Sequence, residues 1–196
     1  MTFIKTSLFT NVVKPFQLLV LFSLIAFPSQ AIETNFSLHQ GSESNTQGIS
    51  FAISDSISKG SNFYWNIGYS YLDDVKIEWN QSDLFFKVDT VDAIISYRYK
   101  PRSYNQSMKN FTFEYQIGAT MALTENKFIW TELNEEKYFS ESNDINPMLG
   151  FNVYYDLSKN TAVNVGFKFH TSFSEFEDIT TLYVGFTYKF GNQFGY

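Results

Sequence analysis

Cysteine is absent from all 196 residues. That excludes a disulfide framework, a thiolate zinc site and a cysteine nucleophile. Basic residues are scarce: 14 Lys and Arg stand against 20 Asp and Glu, for a formal net charge of −6. Recognition of a phosphate backbone needs a basic surface, so nucleic-acid binding is not expected. Past residue 31 there is no run of about 18 apolar residues, so no helical membrane span is expected there. No helical period competes with the pattern described below. Histidine is nearly absent too. His39 and His170 stand far apart in the chain and no metal-ligand spacing stands out, so neither a metal nor a cofactor is expected. The length suits one domain rather than two.

Aromatic residues are abundant, with 22 Phe, 13 Tyr and 3 Trp. The N-terminus has its own character. Lys5 and Lys14 form a basic leader, 16–27 (FQLLVLFSLIAF) is an apolar run, and Pro28-Ser29-Gln30-Ala31 follows. Ser29 and Ala31 put small residues at the two positions a signal peptidase reads, and the apolar run is too short to span a membrane. Residues 1–31 therefore read as a cleaved signal peptide and 32–196 as the mature domain. The mature chain keeps 12 basic and all 20 acidic residues, for a net charge of −8.

The mature part alternates apolar and polar residues in eight segments. Their apolar faces run Ile32 to Leu38, Ile49 to Ile53, Phe63 to Tyr71, Val91 to Tyr99, Phe111 to Leu123, Leu149 to Tyr155, Val163 to Phe169 and Leu182 to Phe190. Strict alternation predicts strands with one dry and one wet face. The connections after the second, fourth and sixth segments are compact and carry Lys59, Lys100, Arg102, Lys109 and Lys159. Those after the third and fifth are longer and acidic, with Asp73, Asp74, Glu125, Glu132, Glu135, Glu136, Glu141 and Asp144. Short turns at one end and long loops at the other are features of an outer-membrane barrel.

The glycines indicate which face is inside. Gly48, Gly68, Gly118, Gly150, Gly166 and Gly185 all share the polar face. An eight-stranded barrel has a narrow bore, which small residues beside an occasional Tyr64, Tyr154 or Tyr183 can fill. The other face carries too many large aromatics for such a bore. Tyr97, Tyr99, Phe111, Phe113, Tyr155, Tyr188 and Phe190 cluster near strand ends, as in an interfacial girdle. The expected fold is all-β, an eight-stranded antiparallel up-and-down transmembrane β-barrel.

In this alternation pattern the whole mature chain resembles the small eight-stranded outer-membrane barrels of the OmpA transmembrane and OmpX/Ail type. The resemblance is architectural. It implies a monomer in the bacterial outer membrane, with long loops extracellular and both termini periplasmic. The implied partners are outer-membrane lipids and lipopolysaccharide, together with the barrel-assembly machinery during insertion. The implied role is structural or one of surface contact: envelope integrity, adhesion or small-solute contact.

The predicted lumen holds Glu33, Asp92, Arg98, Glu114, Lys168, His170 and Lys189. Arg98 and Glu114 are expected to be neighbours, with Lys168 reaching Glu114 across the bore. Buried charges persist when paired, so this set reads as a plug, with a narrow gated channel as the alternative. His170-Thr171-Ser172 with Glu175 or Glu177 resembles the His-x-Ser and Glu set of the PagL-like lipid A deacylases, a sound acyl-transfer combination. Phe173 follows where those enzymes carry Asn, and His170 has lumen parity where their triad faces lipid, so no enzyme is expected. The C-terminus resembles the barrel-assembly signal twice. Tyr183, Gly185, Tyr188 and Phe190 form one copy; Lys189, Gly191, Phe194 and Tyr196 form the other, with the barrel wall expected to end near Phe190.

N-terminal sequencing of the exported protein should read Ile32-Glu33-Thr34. An intact Met1, or a start well inside the first strand, would remove the signal-peptide assignment.

Overall fold

A strand whose residues alternate in character has two unlike surfaces, and neighbouring strands keep those surfaces in step only if their registers agree. The computed structural model describes residues 32–41, 46–79, 82–102, 107–130, 135–171 and 178–190. The expected signal peptide (1–31), Ser172, Glu175, Glu177 and the tail 191–196 lie outside the described residues.

The strands are β1 (Glu33–Gly41), β2 (Gln47–Ser56), β3 (Phe63–Trp79), β4 (Ser82–Tyr99), β5 (Phe111–Ala122), β6 (Asn126–Trp130), β7 (Glu135–Ser140), β8 (Ile145–Asp156), β9 (Thr161–His170) and β10 (Ile179–Lys189). Eight of them close a barrel in the order β1-β10-β9-β8-β5-β4-β3-β2, while β6 and β7 pair only with each other. Every pairing is antiparallel, and β1 closes on β10 with Glu33 opposite Lys189 and Gly41 opposite Thr181. The fold is thus an up-and-down, all-antiparallel eight-stranded barrel.

One end carries the short turns. Gly60 takes a φ of 76° between β2 and β3, a conformation that costs a residue without Cβ little. Leu157 and Ser158 both donate to the Thr161 carbonyl between β8 and β9. A short 3-10 turn, Ser107–Asn110, leads into β5. Call this the turn end and the opposite one the loop end.

Side-chain direction follows the period of two. Ser37 and His39 of β1, Asp92 and Arg98 of β4, Glu114 and Thr120 of β5, and Asn164 and Lys168 of β9 are buried. Their apolar neighbours along each strand point outward: Leu38, Ile95, Ile117 and Val165 are exposed, Ile117 to 63%. Such a surface, apolar outside and polar inside, suits lipid rather than water. The glycines make the bore passable for its large residues. Gly166 pairs with Tyr183, and a Cβ at 166 would come within 2.7 Å of both Cζ and OH of that ring.

Two expectations about the long loops are corrected. The third and fourth segments do not stop near Tyr71 and Val91; they continue as one long hairpin to Trp79 and Ser82. The register shifts between Leu72 and Val75, where Asp74 adopts a φ of 54°. A bulge inserts a residue and reverses the parity beyond it, so an unbroken alternation cannot be read through Asp73-Asp74. The segment after β5, expected as one long loop, carries the β6–β7 hairpin, with Trp130 opposite Glu135.

Replacing Ile117 by Arg tests the outward face. Urea unfolding from lipid vesicles should show a loss of about 2–4 kcal/mol if this side chain lies near the bilayer midplane. A loss under about 1 kcal/mol would place it at an interface or outside the bilayer.

Candidate functional site

Among the described residues, the fold gathers its buried charged side chains in the lumen, which is built in levels from the turn end upward. At the lowest level lies Arg98. Its Nη1 donates to Glu33 Oε2 at 2.7 Å and its Nε donates to Glu114 Oε1 at 2.9 Å. The guanidinium carbon sits 3.9 Å from the centroid of the Tyr64 ring and 4.8 Å from that of Tyr154. A planar cation between two aromatic faces, with a carboxylate at each edge, uses both its hydrogen-bonding rim and its π-facing plane.

Glu114 is fully buried and fully occupied. Besides Arg98, it accepts from Ser96 at 2.7 Å, Gln116 at 2.9 Å, Tyr154 at 2.8 Å and Asn152 at 3.4 Å. A carboxylate offers about four lone-pair directions, so these donors leave it stable as an ion despite its burial. Above it, amides and hydroxyls interlock. Asn35 donates to Asn164 at 2.9 Å and to Thr187 at 2.8 Å, and Ser37 donates to Asn35 at 2.6 Å.

Further toward the loop end is a second ion pair. Lys168 Nζ donates to Asp92 Oδ2 at 2.6 Å. Thr120 gives its single hydroxyl proton to Asp92 Oδ1 at 2.8 Å. The contact of 3.0 Å between Thr120 Oγ1 and His170 Nδ1 therefore needs the proton on the imidazole, which fixes Nδ1–H as the donor. His39 packs near Tyr183 with ring centroids 5.1 Å apart, and its Nε2 is 2.7 Å from Ser50 Oγ. A cavity of about 10 Å³ lies among His39, Ser70, Thr90, Lys168, His170 and Thr181, roughly the room one water needs.

At the loop end the inward face turns apolar. Leu72, Val75, Val88, Ala122 and Ile179 pack into one buried cluster, with Phe86 against it. Outside the barrel wall at this end, Lys87 donates to Asp73 at 2.8 Å and holds that carboxyl below its usual range. Tyr69 and Asp89 share a short hydrogen bond beside them.

The residues singled out from the sequence thus divide. Arg98 and Glu114 meet directly. Lys168 does not join them: it belongs with Asp92, because it sits opposite Gly150 and Thr181, toward the loop end of β9. The expected single network is two networks. Glu33 completes the lower one, and Lys189 is held at the rim by Asp156 at 2.7 Å. Gly185 lies on β10, and Tyr188 and Phe190 stack edge to face with centroids 4.7 Å apart on the outer side. β10 ends at Lys189, and Phe190 N–H still donates to the Ile32 carbonyl at 2.7 Å. Gly191, Phe194 and Tyr196 lie outside the described residues. His170 points into the lumen, and Ser172 is outside the described residues.

Sequence reasoning missed two things. His39 shares the parity of Glu33 and Ser37, which was the available signal for its place in the lumen. The apolar cap was signalled by Leu72 and Ile179, which keep lumen parity although neither is polar. Among the described residues no cluster of His, Asp and Glu is arranged to hold a metal ion.

No protein-family model and no curated protein sequence matches the chain. Solved structures do. The fold is similar to the N-terminal β-barrel domain of Pseudomonas aeruginosa OprF, with TM-score 0.57 and 8% identity over 83% of this chain and 98% of that one. It is also similar to a de novo designed transmembrane β-barrel, with TM-score 0.52 and 15% identity over 83% of this chain and 98% of that one. At such identities the likeness is one of fold: the small eight-stranded barrel of outer-membrane type.

Double-mutant cycles separate the two networks. The pair Lys168→Met and Asp92→Leu should show a coupling well above 0.5 kcal/mol, and the pair Lys168→Met and Glu114→Leu a coupling within about 0.5 kcal/mol of zero. Arg98→Met alone, which strands two buried carboxylates, should cost about 3–5 kcal/mol in urea unfolding. A large Lys168–Glu114 coupling would restore the single-network reading.

Proposed function

We propose that the protein is an integral barrel of the bacterial outer membrane with a structural or surface-contact role, plugged rather than conducting. The observation that carries this reading is the stacking of three different seals along one bore. Arg98 with its two carboxylates fills the turn end, the Asp92–Lys168 pair with its threonine and histidine partners fills the upper lumen, and the apolar cluster of Leu72, Val88 and Ile179 caps the loop end. Charged pairs alone could exchange partners and open a path. An apolar cap above them gives an ion nothing to exchange with, and crossing it means leaving its hydration shell.

In this reading the turn end faces the periplasm and the loop end the exterior. The β3–β4 hairpin, which outruns the barrel wall, presents the surface available to lipopolysaccharide, another cell or an envelope component. The chain enters the membrane as a monomer after loss of residues 1–31, recognised by the assembly machinery through its last aromatic residues. No reaction is proposed. The one set that could support acyl transfer places His170 inside the bore, bonded to Thr120, away from a lipid substrate on the outer wall.

Planar-bilayer recording is the test. The wild-type barrel should give no steady conductance, and Lys168→Ala should give none while the apolar cap is intact. Steady currents in the wild type that respond to Glu114→Ala or Lys168→Ala would favour the gated channel instead. Lipid A from cells expressing the protein should keep its acyl chains; a chain lost with wild type and retained with His170→Ala would support the deacylase.

A further inference from the structure

The two ends of the barrel differ in charge as well as in loop length. At the loop end, the described positions Asp74, Glu125, Glu141, Asp144 and Asp178 are all exposed, against two exposed cations, Lys87, which is held by Asp73, and Lys127. At the turn end the exposed charges are Lys59, Lys100, Arg102, Lys109 and Lys159. The acids at that end are occupied within the protein. Asp156 accepts from Lys100 and Lys189, Asp55 accepts from the Ser56 backbone, and Glu33 is inside the bore on Arg98. Among the described residues, five of the seven exposed cations therefore lie at the turn end, and every exposed acid named above lies at the other.

The same turns expose apolar side chains. Ile57 is 54% exposed and Leu157 57%, each two residues before a lysine, in the runs Ile57-Ser58-Lys59 and Leu157-Ser158-Lys159. Met108 is exposed and immediately precedes Lys109 in the third turn. These tips project beyond the aromatic rings of the last strand rows, Phe63 with Tyr97, Phe111 with Tyr155, and Tyr188 with Phe190. Rings of this kind mark the level where acyl chains give way to headgroups. An apolar residue there, with a cation two positions on, dips its hydrocarbon into the layer while the ammonium reaches up to the phosphates.

We propose that the turn end is a docking surface for anionic phospholipid headgroups. Ile57, Met108 and Leu157 enter the interface, and Lys59, Lys109, Lys159 and Arg102 meet the phosphates. Charge complementarity and the unbroken run from aromatic girdle to apolar tip select a lipid layer as the occupant. The acidic loop end repels the same headgroups, so the surface also biases which way round the barrel sits. This inference rests on the membrane reading above and names a partner for one of its ends.

Electron spin resonance of the reconstituted protein tests it. The full chain is placed in phosphatidylcholine vesicles with trace spin-labelled phosphatidylglycerol or spin-labelled phosphatidylcholine, and the protein-restricted fraction of each is measured. The anionic probe should be preferred by about fivefold wherever it meets one such cation, and the preference should fade in molar salt. The variant Lys59→Gln/Lys109→Gln/Lys159→Gln should bind the two probes nearly equally, with the folded barrel's electrophoretic mobility unchanged. With Trp65, Trp79 and Trp130 replaced by Phe, fluorescence of Ile57→Trp and of Leu157→Trp should be quenched by lipids brominated high on the acyl chain. Equal restriction of both probes by the wild type, an undiminished preference in the triple variant, or unquenched tryptophans would overturn the proposal. Failure of the wild type to insert into any vesicle would instead overturn the membrane reading.

Discussion

A peptide group inside a lipid layer has no water to bond, so each must find its partner within the chain. Everything else in this structure answers to that constraint. It demands that β1 meet β10, because an open sheet would leave two edges unsatisfied. Closure at eight strands then fixes a narrow bore. The narrow bore in turn decides which residues can face inward, and it forces the charged ones among them into contact. Gly166 opposite Tyr183 and the carboxylates around Arg98 are both consequences of strand count.

The bore is organised by what each level can tolerate. Arg98 is tolerated because two carboxylates and two aromatic faces surround it; Asp92 is tolerated because Lys168, Thr120 and Ser70 do. Removing one member of such a set leaves the others desolvated and unpaired, which costs more than the pair itself contributes. The apolar cap needs no partners and seals by packing. Polar specificity below and hydrophobic closure above are complementary: the first fixes side-chain positions, the second keeps water from competing for their bonds.

Much of this was legible in the sequence because the period of two is a direct record of which side chains share a face. The strand faces around Phe36, Ile95, Ile117 and Val165, the lumenal place of Arg98 and Glu114, and the turn positions near Gly60 and Lys159 all follow from parity and punctuation. Parity does not say how far up the bore a residue sits. That height depends on register between strands distant in the chain, so parity puts Lys168 in the lumen without showing that Asp92, not Glu114, is its partner. Nor does parity survive a bulge. At Asp74 an extra residue resets the alternation, and the continuation of β3 beyond it read as loop. The two histidines share one small chamber although 130 residues separate them, and only closure brings them there.

The two strands that form the barrel seam each begin or end on a charged residue that grips another part of the wall. Glu33 holds Arg98 of β4, and Lys189 holds Asp156 of β8. Neither grip lies across the seam itself. A pull on either end of the barrel segment therefore loads an ion pair anchored elsewhere in the cylinder as well as the ladder between β1 and β10. The seam is thus pinned from behind, to β4 and β8, as well as edge to edge.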